Sequence, residues 1–116
     1  MTDPISLDGL TMYVSSTASN GVVGAQTRLR FRQYGTRVLG RYEGGSIRRG
    51  CLVGRVSNER LAFRYAQVES SGEIHGGRST CEITALASGR LRIVERFSWS
   101  TRDGSGTNVF DEVPPE

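Results

Sequence analysis

The chain has no lysine, and all fifteen of its basic residues are arginine. A Walker phosphate loop ends in Gly-Lys-Ser/Thr, so that chemistry is excluded. Histidine occurs once, at His75. One imidazole without a Gly-x-Ser-x-Gly elbow builds no catalytic triad. Together with Cys51 and Cys81 it shows no paired zinc-ligand spacing, so no metal is expected. The two cysteines are too few for a disulfide framework. They read as reduced, buried thiols, with a single disulfide or a reactive thiol as the alternative. No apolar run approaches the roughly 18 residues of a membrane helix. The start, "MTDPISLDGLTMY", carries acids where a secretion signal has a basic and then an apolar region, so a cytoplasmic protein is expected. A convincing helical period is also missing.

What is present is alternation, the mark of half-buried strands. "QTRLRFRQY" sends Leu29, Phe31 and Gln33 one way and Arg28, Arg30 and Arg32 the other. "TRVLGRYE", "SIRRGCLVGRV" and "RLAFRYAQVE" follow, then the weaker "EIHGGRST" and "CEITAL". "RLRIVERFSW" is the strongest run, with Leu91, Ile93, Glu95, Phe97 and Trp99 in phase, and "NVFDEV" closes the series. "SNERLAFRYAQVES" also admits a helix from a Ser or Asn cap, but Phe63 and Tyr65 suit a pleated surface. "CEITALAS" admits a short helical turn. Turn signals recur between the runs: "YG", "GG", "SNE", "SSGE", "ASG", "RDGSG". The last lacks the residue set of a calcium loop.

The glycine-rich stretch "GRYEGGSIRRGCLVG" raises the question of a phosphate cradle. It lacks the G-x-G-x-x-G spacing, and no helix follows it. A hairpin explains it better. Gly44 and Gly45 can both take the positive φ of a type I′ turn. Gly40, Gly50 and Gly54 then fall inside strands, where glycine marks a bend or a close approach. Tyr42 and Tyr65 are spaced like Gly54 and Gly77, a faint echo similar to MORN repeats. Two units are too few for a repeat architecture, so the echo reports successive hairpins.

With 116 residues, 36% hydrophobic and 23% charged, one soluble domain with a modest core is expected. The fold expected is all-β: a single antiparallel up-and-down barrel of about eight strands, similar to the calycin type, spanning 1–116. Closure removes exposed strand edges. Residues 1–10 and 114–116 are expected to be flexible ends.

The order "FRQYG … VLGRYEGGSIRRGCLVG … LAFRYAQV … GEIHGGRS … SGRLRIVERFSW … DEV", roughly residues 29 to 113, resembles a family of small bacterial proteins labelled N-acetylglutamate synthase. The resemblance implies an acetyltransferase-type enzyme. Such enzymes of the common fold hold coenzyme A with Gln/Arg-x-x-Gly-x-Gly/Ala opening a helix. The nearest string here is Arg41-Tyr-Glu-Gly44-Gly45-Ser46, which ends in serine inside an expected hairpin. The enzyme therefore stands third among the readings, with no catalytic residue and no cofactor assigned.

Net charge is +3, but the arginines are spread along the chain among twelve acids. Nucleic-acid binders usually cluster their charge. Arg28, Arg30 and Arg32 form the best stripe and Arg48 and Arg49 a second small cluster, so no nucleic-acid partner is expected.

The most informative residue is Glu95, a carboxylate on an otherwise apolar strand face. Gln67 follows Leu61, Phe63 and Tyr65 in the same way, and Tyr42 is in phase with Val38 and Gly40. A buried carboxylate must be paired or hydrogen-bonded. One reading is an interior network, with Glu95 satisfied by an inward arginine or a tyrosine hydroxyl. The other is a pocket in the barrel mouth lined by Tyr42, Tyr65, Gln67, Glu95 and Trp99, since apolar walls with a few convergent polar groups suit a small ligand. There Glu95 favours a cationic or hydrogen-bond-donating group, unless desolvation raises its pKa. The function expected is small-ligand binding. The rival is a packed structural or interaction protein, as a homodimer.

Overall fold

A computed structural model describes residues 5–114. Eight strands follow one another: β1 (Thr11–Ser16), β2 (Arg28–Tyr34), β3 (Arg37–Gly44), β4 (Ile47–Ser57), β5 (Arg60–Glu69), β6 (Ile74–Ala85), β7 (Leu91–Trp99) and β8 (Ser105–Glu112). Each pairs antiparallel with the next, and β8 pairs with β1, so the sheet is a closed barrel in chain order. This is the calycin-type, up-and-down architecture.

Alternation builds it. In β3, Val38, Gly40 and Tyr42 point inward while Arg37, Leu39 and Arg41 stay in solvent. In β7, Ile93, Glu95 and Phe97 are buried. The "SNERLAFRYAQVES" segment is strand, not helix, because Leu61, Phe63 and Gln67 must all reach one interior. "EIHGGRST" and "CEITAL" share one unbroken strand of 12 residues, Ile74–Ala85, and "CEITALAS" forms no helical turn. Strand β1 went unrecognised in the sequence, since only Met12 and Val14 of its six residues are buried.

Two-residue turns at Gly35–Thr36, Gly45–Ser46 and Asn58–Glu59 close three hairpins. In each, only the first residue has positive φ: 63° at Gly35, 64° at Gly45 and 57° at Asn58. The expected turn on Gly44–Gly45 is therefore one residue out of place, and its type I′ pattern is replaced by positive φ at the first position, as in type II′. Gly44 belongs to β3 beside an irregularity in the pairing. The remaining glycines of this stretch are places of close approach. A Cβ on Gly40 would lie 2.8 Å from the Leu52 Cγ, and one on Gly50 would fall on the Tyr42 ring.

With eight up-and-down strands, the β1–β2, β3–β4, β5–β6 and β7–β8 connections share one end, here the mouth. The opposite base is closed by residues 5–10. This corrects the expectation of a flexible end there; residues 1–4, 115 and 116 lie outside the described residues. Leu7 is fully buried in the core. Its amide donates to Gln33 Oε1 at 2.8 Å, Asp8 Oδ1 accepts from the Gln33 amide at 2.9 Å, and the Gly9 amide donates to the Phe31 carbonyl at 2.9 Å. Leu7→Ala is expected to cost about 3 kcal/mol in chemical denaturation, the usual scale for a leucine removed from a packed core. A cost within about 0.5 kcal/mol would show that the plug does not hold the base.

Cys81 is buried inside the barrel, but Cys51 is exposed on its outer face, which corrects the expectation of two buried thiols. The two are not joined.

Candidate functional site

The five residues singled out in the sequence line one interior cavity near the mouth. Tyr42 comes from β3, Tyr65 and Gln67 from β5, and Glu95 and Trp99 from β7. The register explains the convergence. Tyr65 stands opposite Gly77, which stands opposite Trp99, and Tyr42 stands opposite Gly50, which stands opposite Gln67. A glycine beside each tyrosine leaves room for its ring.

Two polar networks cross the interior. The first begins at the Tyr42 hydroxyl, which donates to Gln67 Oε1 at 2.8 Å. Gln67 Nε2 then donates to Glu69 Oε2 at 2.8 Å, and Arg102 Nη2 reaches both Glu69 oxygens at 2.8 and 2.7 Å. Arg102 also lies over the Trp99 ring, 4.4 Å from its centroid, a cation–π geometry. Burial alone would raise the Glu69 pKa, but hydrogen bonds from Arg102 and Gln67 and the charge of Arg102 prevail and lower it. Burial, reinforced by the nearby Glu95, pushes the Tyr42 hydroxyl far above its ordinary value, so it remains a donor.

The second network is centred on Glu95, which is 5% exposed. Ser79 Oγ lies 2.6 Å from its Oε2, and Asn108 Nδ2 donates to its Oε1 at 2.8 Å. Asn108 Oδ1 in turn accepts from the Thr17 hydroxyl at 2.7 Å. Neither an arginine nor a tyrosine hydroxyl satisfies Glu95; Ser79 and Asn108 do. Desolvation raises its pKa, against the opposing effect of these two hydrogen bonds. Burial thus works against the charged form of the acid, and its two oxygens are held by Ser79 and Asn108.

Between the networks stands Tyr65, edge-on to Phe63 and to Trp99 at centroid distances of 6.1 and 5.5 Å. Among the described residues its buried hydroxyl has no hydrogen-bond partner. The cavity it borders has a volume of about 30 Å³, room for one or two waters. The roof is the β1–β2 strap, with Gly21, Val22 and Val23 in the lining.

Sequence reasoning missed Glu69, Ser79, Asn108 and the strap. Glu69 lies in phase with Gln67, Ser79 with Cys81, and Asn108 with Phe110, so the strand period held all three. The strap has no period to read.

The chain is thus a closed eight-stranded meander barrel of the calycin type, with polar groups gathered in its mouth. The sequence profile of the avidin-like protein family matches residues 5–113, and the chain belongs to that family. This overturns the resemblance to proteins labelled N-acetylglutamate synthase, and the hairpin at Gly45–Ser46 contains no coenzyme A loop. No curated protein and no solved structure matches the chain.

Proposed function

We propose that the barrel binds a small, electrically neutral molecule in its mouth, with an apolar body and a hydrogen-bond acceptor at one end. Membership of an avidin-like family supports small-ligand binding in the barrel. The observation that carries the reading is the orphaned Tyr65 hydroxyl. A buried hydroxyl without a partner costs roughly 1–3 kcal/mol, so an acceptor placed there recovers that cost. Both Glu95 carboxylate oxygens are already engaged, by Ser79 and Asn108, so the Tyr65 hydroxyl and not the acid is the polar group left for a ligand to match. Phe63, Phe97 and Trp99 supply the apolar wall.

An occupant larger than water has to displace Val22 and Val23. The strap is tied to the interior through Thr17 and Asn108, so ligand entry and the Glu95 network are linked. One specific observation favours a second reading, the packed structural barrel: the cavity is only about 30 Å³.

Native mass spectrometry of freshly purified protein, compared with its denatured mass, tests the two. A non-covalent mass that leaves on denaturation supports the ligand site, and the same spectrum reads the oligomeric state. Tyr65→Phe is then expected to weaken that ligand about tenfold without lowering the thermal midpoint. A clean polypeptide mass for both proteins, with Tyr65→Phe more stable than its parent, is the result of the packed reading.

A further inference from the structure

The barrel register gathers arginines that the sequence disperses. On the outer face, Arg37 of β3 stands directly opposite Arg55 of β4, and Arg64 of β5 directly opposite Arg78 of β6. Arg96 of β7 is two rows away, opposite Thr80. All five are exposed. They line one surface groove of about 640 Å³, with Val53 among them. Among the described residues, the arginines in ion pairs are Arg30, Arg92 and Arg102. None of these is in the groove, and no carboxylate of the described residues pairs with the five that are. Like charges directly opposite across a sheet destabilise it. Two such pairs in one recess therefore leave a cost that an anionic partner would remove.

We propose that this groove binds the phosphodiester backbone of a nucleic acid without reading its bases. A guanidinium is always charged and meets phosphate with a planar, two-pronged fork. Outward residues along one strand repeat at about 6.8 Å, and strands lie about 4.8 Å apart. The five cations form a lattice suited to a row of phosphates, not to one small anion. The one aromatic residue in the lining, Phe63, is buried and its ring belongs to the barrel interior, so the groove presents no exposed platform for stacking bases. Contacts to the backbone alone fix position and carry no sequence information. A second copy is a poor occupant, because two-fold pairing sets the patch against itself, arginine to arginine. An acidic protein needs anchor pockets for apolar side chains, and Val53 is the one strongly exposed large aliphatic in the lining. A flat anionic membrane meets a recess poorly.

Fluorescence anisotropy of labelled mixed-sequence oligonucleotides, single- and double-stranded, tests this with the full chain. If three to five phosphates are neutralised, affinity is expected to fall roughly 40- to 500-fold between about 50 and 200 mM salt. Arg64→Gln with Arg78→Gln should flatten the slope of log affinity against log salt by about two. The same change at Arg48 and Arg49, near the mouth, should leave it unaltered. Circular dichroism of both double variants confirms folding; relief of a like-charge pair predicts no loss of stability. Absence of binding at about 50 mM salt, or a slope that the Arg64/Arg78 variant does not change, overturns the proposal. Tighter binding of polyglutamate or of anionic vesicles, or a dimer that the Arg64/Arg78 variant disrupts, overturns it in favour of those occupants.

Discussion

Gly54→Ala is expected to destabilise the barrel by about 3 kcal/mol or more, at the upper end of what overpacking does. The added methyl would meet the Ala62 carbonyl oxygen and lie 2.6 Å from the Phe63 Cβ and 2.8 Å from its Cα. Gly54 and Phe63 face each other in the β4–β5 ladder, so the obstruction is backbone and β-carbon and cannot rotate away. The strands must separate, and the ladder on both sides weakens. Gly24→Ala is the control, since a Cβ there meets nothing within 4 Å. Urea denaturation of both variants checks the argument. Equal small losses would mean that these glycines serve turns rather than close packing. For a domain of ordinary stability, roughly 5–15 kcal/mol, the Gly54 loss is a large fraction.

The same stretch shows how far the sequence could be read. Alternation in "TRVLGRYE" and "RLRIVERFSW" is dictated by a closed sheet with one buried face, and the barrel follows from many such runs joined by tight turns. The turn at Gly45–Ser46 was misplaced by one residue because Gly44 also has positive φ, 116°, while remaining in β3. Its conformation answers to a neighbour: a Cβ there would collide with the Gln26 carbonyl. No local pattern reveals such a contact. Leu7 is similar, a short-range silence whose meaning comes from Gln33 and Phe31 across the barrel base.

For the candidate site, phase within a strand was enough to bring Tyr42, Tyr65, Gln67, Glu95 and Trp99 together. Partnership was not legible, because it depends on register between strands. Glu95 meets Ser79 and Asn108 on the two neighbouring strands. Charge shows the same division. Arg28, Arg30 and Arg32 stand out in sequence, yet Arg28 donates to the carbonyls of Ala25 and Thr27, and Arg30 lies 3.6 Å from Glu43. The groove arginines come from five strands and meet only once the barrel closes.

Glu95 should separate charge from shape. Glu95→Ala removes a buried group and leaves Ser79 Oγ and Asn108 Nδ2 without their acceptor, an expected loss of about 2–4 kcal/mol. Glu95→Gln keeps the shape: its oxygen accepts from Asn108 and its amide donates to Ser79. The folded pKa of Glu95 lies above its ordinary 4.5. Its favourable contribution is therefore complete below that unfolded value and is lost as pH rises through the raised folded value. Glu69 and Asp111 have lowered pKa values, so their contributions run the other way and fade as the solution is acidified. Glu95→Gln should lie within about 1 kcal/mol of the parent near pH 5. It should become the more stable protein as pH rises beyond the point where the buried acid ionises. Urea denaturation across the pH range, with the Ala variant alongside, reads both effects. A Gln variant as unstable as the Ala variant at every pH would mean that the interior needs the carboxylate charge, and the neutral-ligand assignment would fall with it.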